Sequence, residues 1–131
     1  MNNDIELSNS HLIDENGHKN KNRFPQMRYP RRSSRKLFIG NVPIGAGSPI
    51  SVQTMTKTKT SDIQATVAQI KRCEDAGVDI VRVTVNNKGA AEAIGEIVKS
   101  VNVPIVADIH FNYMHALKSI EAGVAKVRIN P

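Results

Sequence analysis

Polar and charged side chains recur near the C-terminal ends of four otherwise apolar segments of this 131-residue sequence. They are Gln53 in the first segment, Arg82 and Thr84 in the second, Asp108 and His110 in the third, and Arg128 and Asn130 in the fourth. Within a segment they occupy alternate positions, so in a β-strand they point to the same face. Two arginines offer planar donor groups for phosphate, while a carboxyl and an imidazole group offer acid–base capacity. The pattern predicts one shared site for an anionic ligand.

Each of these residues also permits a purely structural interpretation. Arg128 can be a surface charge at a strand end, and Asp108 can form an ion pair that only neutralises Arg82. His110 can be a strand-end histidine with satisfied hydrogen bonds. We favour the shared site because the polar residues fall at equivalent places in three successive segments. An unpaired Arg82 between two valines would also be costly to bury.

Strand-like and helix-like patterns alternate from Leu37 onward. The sequence LFIGNVPIG, residues 37–45, predicts a hairpin of two short strands joined by a Gly-Asn turn. Residues 47–55 predict a strand centred on Ile50 to Gln53. Three β-branched segments predict further, buried strands. They cover residues 79–85, 103–110 and 125–130.

Apolar residues spaced three or four positions apart predict a helix between each pair of successive strands. The first helix carries Ile63, Val67, Ile70 and Cys73, the second carries Ala90, Ile94, Ile97, Val98 and Val101, and the third spans Tyr113 to Ala122. Thr60 or Ser61 is expected to cap the first helix. Gly77 and Gly123 are expected just beyond the C-terminal ends of the first and third helices.

Alternating strands and helices with short connections call for a parallel sheet covered by helices. A doubly wound sheet and a (β/α)8 barrel both satisfy this order. No GxGxxG motif follows the first strand, and polar strand ends suit the mouth of a barrel, where barrel enzymes place their chemistry. The predicted fold class is therefore α/β, the first half of a (β/α)8 TIM barrel. It has about four strands and three helices and is preceded by a short β-hairpin.

The chain divides by composition into residues 1–36 and residues 37–131. The first part is rich in asparagine and holds 8 Lys/Arg against 4 Asp/Glu. This polar composition predicts a disordered basic N-terminal tail. Contact of the tail with nucleic acid or another polyanion is the alternative. We do not favour it, because too few aromatic residues accompany the charges to stack on bases.

Several classes of protein are disfavoured by features that the sequence lacks. No apolar stretch approaches the ~20 residues that a membrane span needs, and the N-terminus has no apolar region of a secretory signal. The chain has one cysteine, Cys73, so we expect neither an intrachain disulfide nor a Cys-cluster metal site. Its place on an apolar helical stripe predicts a core thiol. These features predict a soluble, cytosolic protein without metal ligands of its own.

The motifs IGNVPIG, VQTMT, VRVT, ADIHF and RINP, in this order, resemble the 4-hydroxy-3-methylbut-2-enyl diphosphate synthase family. This is the iron–sulfur enzyme family of the non-mevalonate isoprenoid pathway, and the resemblance runs from about Arg31 to Pro131. It implies a (β/α)8 barrel that binds 2-C-methyl-D-erythritol 2,4-cyclodiphosphate at its mouth. It also implies an oxidoreductase whose C-terminal domain holds a 4Fe-4S cluster through three Cys and one Glu. Flavodoxin or ferredoxin as electron donor, a homodimer, and a cytoplasmic or plastid location are further implications.

The resemblance also implies roles for individual residues. Arg82 in VRVT and Arg128 in RINP are expected to bind the diphosphate. Asp108 and His110 in ADIHF are expected as catalytic polar groups around the erythritol part. Asn130 in RINP and Gln53 in VQTMT are further substrate-binding candidates at the same rim.

The sequence departs from the family pattern at its C-terminus. It ends at Pro131, after the fourth strand, and contains none of the cluster ligands. We therefore expect an N-terminal piece of the synthase that supplies part of the substrate site and is inactive alone. The alternative is a non-catalytic half-barrel that binds phosphate ligands and is completed by self-association. A polyanion-binding tail is the third possibility.

Overall fold

The structure, a computed structural model, describes residues 32–130. The chain divides into a unit of residues 1–33, of which only Arg32 and Ser33 are described, and a compact unit from Ser34 to Pro131. Most of the predicted disordered tail lies outside the described residues. The domain limits 1–36 and 37–131 stay predictions, although the Ser34 hydroxyl already accepts a hydrogen bond from Ala46 N at 3.0 Å.

Six strands and three helices occupy the described part of the chain. The strands are β1 (Leu37–Ile39), β2 (Val42–Ile44), β3 (Gln53–Met55), β4 (Ile80–Val85), β5 (Ile105–Ile109) and β6 (Lys126–Ile129). The helices are α1 (Ile63–Asp75), α2 (Lys88–Lys99) and α3 (Tyr113–Glu121). β1 and β2 form an antiparallel hairpin, and β3-β4-β5-β6 form a parallel sheet in that order. The predicted elements, a hairpin followed by four parallel strands and three helices, are confirmed.

The hairpin covers one end of the parallel sheet. Gly40 forms its turn with a φ of +58°, a left-handed conformation that glycine adopts without strain. A Cβ atom at this position would lie 2.9 Å from Pro104 Cγ, so the turn also needs a residue without a side chain. Ile39 packs with Ile80 and Val106, near the N-terminal ends of β4 and β5. The hairpin therefore lies at the end of the sheet opposite the polar strand ends.

The parallel sheet has two different faces because side chains alternate along each strand. Val83 of β4 and Ala107 of β5 are buried in one core with Ile94 of α2. Arg82 and Thr84, which flank Val83, point to the opposite face. The helices thus cover one face of the four-stranded sheet, and the polar strand ends lie on the other face, which in a complete barrel would be the inner one.

Helix α1 is capped by Asp62, so the prediction of Thr60 or Ser61 as its cap is wrong. Asp62 Oδ1 accepts a hydrogen bond from Ala65 N at 3.1 Å. A carboxylate at this position also interacts favourably with the helix dipole. The Thr60 hydroxyl instead donates to Thr84 O at 2.6 Å. A tertiary hydrogen bond therefore engages the residue that local sequence offers as a cap.

We expect Asp62→Ala to lower the free energy of unfolding by about 1 kcal/mol, because it removes the side-chain acceptor of an N-cap. Ser61→Ala is the matched control. Ser61 is the exposed neighbour that the sequence also offers as a cap, and its change should stay within about 0.5 kcal/mol. Urea unfolding followed by circular dichroism measures both. A larger loss in the Ser61 variant would contradict the assignment.

The first predicted strand is displaced toward the C-terminus. The prediction centred it on Ile50 to Gln53, whereas β3 covers Gln53–Met55. The hydrogen bonds of the preceding residue explain the difference. Asp79 Oδ2 accepts from Val52 N at 2.8 Å, and Asp79 N donates to Val52 O at 3.0 Å. A side chain thus replaces one of the strand partners that Val52 would need, and regular pairing begins only at Gln53.

The helix ends agree with the sequence to within two residues, and α3 ends at Glu121, one residue before the predicted Ala122. Gly77 and Gly123 follow the C-caps of α1 and α3 with φ angles of +85° and +91°, as expected for glycine beyond a helix end. Helix α2 ends at Lys99, so Val101, predicted on its stripe, lies beyond the helix and packs against the core from there. The three helices of residues 32–130 all lack the length and the apolar composition of a membrane-spanning segment.

Candidate functional site

The polar strand ends lie side by side because a parallel sheet brings the carboxyl ends of its strands to one edge. Thr84 pairs in register with Asp108, and Asp108 pairs with Arg128. Met55 pairs with Arg82 on the other side. Residues paired in register share a face, so these side chains line the face away from the helices. The register therefore gathers residues from four strands at one place.

Asp108 is the centre of the group. Its side chain is only 3% exposed, and its Oδ1 accepts a hydrogen bond from Arg128 Nη1 at 2.9 Å. Its Oδ2 lies 3.6 Å from Arg82 Nε and 3.9 Å from His110 Nε2. Arg128 Nη2 also donates to Asn130 Oδ1 at 3.2 Å. One buried carboxylate thus orients two guanidinium groups and faces one imidazole.

The arginines keep donor groups that a ligand can use. Arg82 Nε is buried and, among the described residues, has no hydrogen-bond partner, because its 3.6 Å approach to Asp108 is an ion pair and too long for a hydrogen bond. Arg82 Nη2 donates to Met55 Sδ at 3.2 Å, and a thioether sulfur is a weak acceptor. The side chains of Arg82 and Arg128 are 32% and 41% exposed, so both remain within reach of a bound molecule.

The charges of the group favour an anion. Two guanidinium groups surround one carboxylate, so the group is positive even when His110 is neutral. Arginine is always protonated in proteins and presents its donors in a fixed fork that fits phosphate oxygens. In a partly buried site the attraction is screened less than at an open surface. The arrangement is therefore suited to hold a phosphate or diphosphate.

The structure brings most of the predicted site residues together. Arg82, Asp108, His110, Arg128 and Asn130 form one connected group. Their catalytic and binding roles stay predictions. The structural interpretation of Asp108 also changes, since the closer partner of its carboxylate is Arg128 and not Arg82.

Gln53 does not lie where the sequence placed it. It is the first residue of β3, and it pairs with Ile80 at the start of β4, two positions before Arg82. The prediction put it near the C-terminal end of its strand because it placed that strand too early. Met55, the next residue on the same face, is the one that contacts Arg82. In VQTMT, alternation puts Gln53 and Met55 on the same face, so a strand placed correctly at Gln53–Met55 would have identified Met55 as the residue at its C-terminal end.

The described residues do not fit the 4Fe-4S cluster that the resemblance implies. Cys73 is the one cysteine of the chain, and it is half-buried on α1 against the hydrophobic core. Across residues 32–130, no group of three or more His, Cys, Asp or Glu is placed to hold a metal ion. No redox step is therefore assigned to these residues.

Comparison with known proteins agrees with the geometry. Residues 34–131 match the family model described as the GcpE TIM-barrel domain. Proteins named 4-hydroxy-3-methylbut-2-en-1-yl diphosphate synthase (flavodoxin) are similar over 101 residues, 77% of this chain. Those of Pseudomonas paraeruginosa and Pseudomonas entomophila are 61% identical, and that of Pseudomonas putida is 60% identical.

The match covers a limited part of these relatives, since the chain spans 27% of their length. Within that part the family model covers the whole compact unit, including both arginines and the buried aspartate between them. The sheet order, the helices on one face and the polar edge are those expected for the first half of a barrel. This chain belongs to the 4-hydroxy-3-methylbut-2-enyl diphosphate synthase family through its TIM-barrel domain.

Proposed function

We propose that this chain supplies the substrate side of a reductive synthase in isoprenoid biosynthesis. The reaction converts 2-C-methyl-D-erythritol 2,4-cyclodiphosphate to 4-hydroxy-3-methylbut-2-enyl diphosphate. The observation that carries the proposal is the convergence of Arg82 and Arg128 on the buried Asp108 at the carboxyl edge of the sheet. A cyclic diphosphate needs such paired, fixed cations, because its negative charge is spread over two phosphoryl groups.

The chain's own residues bind and orient the substrate in this proposal. Arg82 and Arg128 donate to the diphosphate oxygens, and Asn130 holds the second guanidinium in place through its Oδ1. Asp108 fixes both arginines, and its buried position keeps their forks from rotating freely. In this proposal His110, whose Nε2 lies 3.9 Å from Asp108 Oδ2, holds a proton near the hydroxyl groups of the erythritol part.

The redox part of the reaction belongs to other residues. In the family a 4Fe-4S cluster supplies the two electrons for ring opening. We propose that this chain, with one cysteine, does not hold the cluster and is inactive alone. The printed name of the relatives includes flavodoxin. We therefore propose flavodoxin or ferredoxin as electron donor of the whole enzyme, which acts as a homodimer in the cytoplasm or, in a plant-type source, in the plastid.

A second candidate function is supported by the outer edge of the sheet. Strand β6 pairs only with β5 among the described residues, and an open edge strand favours association with another chain. Tyr113, Leu117 and Ile120 of α3 and Ile129 of β6 are exposed beside it. This edge supports a non-catalytic half-barrel that binds phosphate ligands and self-associates.

A graft tests the two candidates against each other. Residues 34–131 replace the matching segment of the Pseudomonas paraeruginosa protein, and consumption of the cyclodiphosphate is measured anaerobically with a chemical reductant. We expect the graft to be active, because 61% identity preserves the contacts of the barrel. A folded graft with a full cluster but no activity contradicts the proposal. If the 131-residue chain then binds the cyclodiphosphate and sediments as a dimer, the second candidate replaces it.

A further inference from the structure

A cleft of about 570 Å³ lies next to the site, where the loop from β3 to α1 meets the end of β4. It is lined by residues 56–61, Thr84, Asn86, Asn87 and Ala90. The lining residues carry hydroxyl, amide and two ammonium groups, Ala90 is the one apolar residue among them, and none of them has a carboxylate. The proposed function uses none of these groups. Their composition fits an oxyanion.

The loop that forms the cleft is held in place by hydrogen bonds. Gln69 Oε1 accepts from Lys57 N at 2.9 Å and from Thr58 N at 3.3 Å. The Thr60 hydroxyl donates to Thr84 O at 2.6 Å and ties the loop to the end of β4. The cleft is therefore formed before any ligand enters, which lowers the entropy that a ligand must overcome.

Thr56 contributes a buried hydroxyl without a partner. The residue lines the cleft and is only 6% exposed, and its backbone N–H donates to Arg82 O at 3.0 Å. Among the described residues, no donor or acceptor pairs with its Oγ1. Buried polar side chains in native proteins are nearly always hydrogen-bonded. A hydroxyl of this kind beside an open cleft points to a partner that enters the cleft.

Helix α2 begins at the same cleft. Its N-cap, Asn87, accepts from Ala90 N at 2.9 Å through its side chain. The first-turn amides of Lys88 and Gly89 come before Ala91 N, which donates the first intrahelical hydrogen bond, to Asn87 O at 3.1 Å. A Cβ atom at Gly89 would lie 3.5 Å from Ser61 Cβ, so the loop packs directly on this first turn. Free amides and the helix dipole favour an anion at such a position.

We propose that this cleft is a binding subsite for a tetrahedral oxyanion of the phosphoryl class. The ammonium groups of Lys57 and Lys59, the Thr56 hydroxyl and the first-turn amides of α2 hold it. The ligand is inorganic phosphate or one phosphoryl group of a larger molecule. A larger molecule reaches the arginine group across Thr84, which lines the cleft and pairs with Asp108. The proposal does not rest on the proposed function, because inorganic phosphate alone tests it.

The first test is a titration of the 131-residue chain with inorganic phosphate, followed by amide chemical shifts, with sodium chloride at equal ionic strength as the reference. We expect saturable shifts at the amides of Thr58, Lys88 and Gly89. Lys57→Gln with Lys59→Gln should weaken binding about tenfold, because two charge-assisted contacts are lost. Lys71→Gln, an exposed lysine of α1 outside the cleft lining, is the matched control and should bind as the unchanged chain does.

Thr56→Val separates a binding role from a structural one. Valine has the same shape and removes a hydroxyl that has no partner, so the variant should fold with an unchanged or higher melting temperature. We expect its affinity for phosphate to fall about fivefold through the lost hydrogen bond. The proposal would be overturned if the Thr56 variant and the lysine variant both bound phosphate as tightly as the unchanged chain does. It would also be overturned if the saturable shifts were confined to Asp108 and Arg128.

A second titration, with the cyclodiphosphate, identifies the source of the phosphoryl group. The cleft is a subsite for part of a larger ligand if Arg82→Ala and the lysine changes each weaken binding of the cyclodiphosphate, while Arg82→Ala leaves phosphate binding unchanged. If the lysine changes weaken phosphate binding but leave cyclodiphosphate binding unchanged, the cleft is a separate phosphate site. Both results support the subsite, and the first also supports the proposed function. Phosphate binding in the cleft without any binding of the cyclodiphosphate refutes the proposed function and leaves the subsite intact.

Discussion

Asp108→Asn is expected to lower the free energy of unfolding of the 131-residue chain by about 2–3 kcal/mol. The carboxylate is buried and forms ion pairs with two guanidinium groups, so asparagine leaves both without a counterion. Removal of one partner from a fully buried pair costs about 3–5 kcal/mol. We place the expected loss below that range because the side chains of Arg82 and Arg128 are 32% and 41% exposed, so water can hydrate the unpaired cations. Urea unfolding followed by circular dichroism measures the loss.

Two further variants show whether the lost charge is the cause. Asp75→Asn removes an exposed carboxylate from the last residue of α1 and should change stability by no more than about 0.5 kcal/mol. Arg128→Met in the Asp108→Asn background removes one unpaired cation and should recover part of the loss. An Asp108→Asn chain as stable as the unchanged one would show that the ion pairs do not stabilise the fold.

In the grafted full-length enzyme, Arg82→Ala and Arg128→Ala should each weaken cyclodiphosphate binding about 10- to 150-fold. Each guanidinium can donate two charge-assisted hydrogen bonds to phosphate oxygens, worth roughly 1.5–3 kcal/mol. Lysine at either position restores the charge but not the fork, so recovery should be partial. Arg72→Ala, an exposed arginine on α1, is the charge-matched control. Isothermal titration calorimetry measures the affinities.

The two arginines should differ in their effect on stability. Arg128 makes the 2.9 Å hydrogen bond to Asp108, so its loss leaves that carboxylate with no hydrogen bond and only longer contacts, to Arg82 at 3.6 Å and to His110 at 3.9 Å. Loss of Arg82 leaves the shorter bond in place. We therefore expect Arg128→Ala to lower both the melting temperature and the affinity, and Arg82→Ala to lower mainly the affinity. Unchanged affinity in both variants would remove the phosphate assignment and leave only a structural ion pair.

The sequence alone was sufficient for the order of the elements and for the polar face. Helix and strand periods are local properties, so the apolar stripe of α2 and the β-branched run of β4 identify themselves without knowledge of their neighbours. Alternation along a strand is equally local. It places Arg82 with Thr84, and Asp108 with His110, on one face before any partner strand is known. The sequence motifs also identify the family without knowledge of the structure, and the match over residues 34–131 confirms that identification.

Tertiary structure decided how the strands are staggered, and with it which side chains meet. Asp108 lies directly opposite Arg128, whereas Arg82 pairs with Val106 and reaches the carboxylate only diagonally. The same stagger pairs Gln53 with Ile80, two positions before Arg82.

Two local features also depended on long-range contacts. Thr60 binds the end of β4, so Asp62 caps α1, and Thr56 is buried without a partner beside the start of α2. Alternation along a strand determines the face of the sheet on which a side chain lies, but it does not determine the register of that strand with its neighbour. The register follows from hydrogen bonds between segments more than 20 residues apart, such as those from Val52 N to Asp79 Oδ2 and from the Thr60 hydroxyl to Thr84 O. No local pattern in the sequence records them.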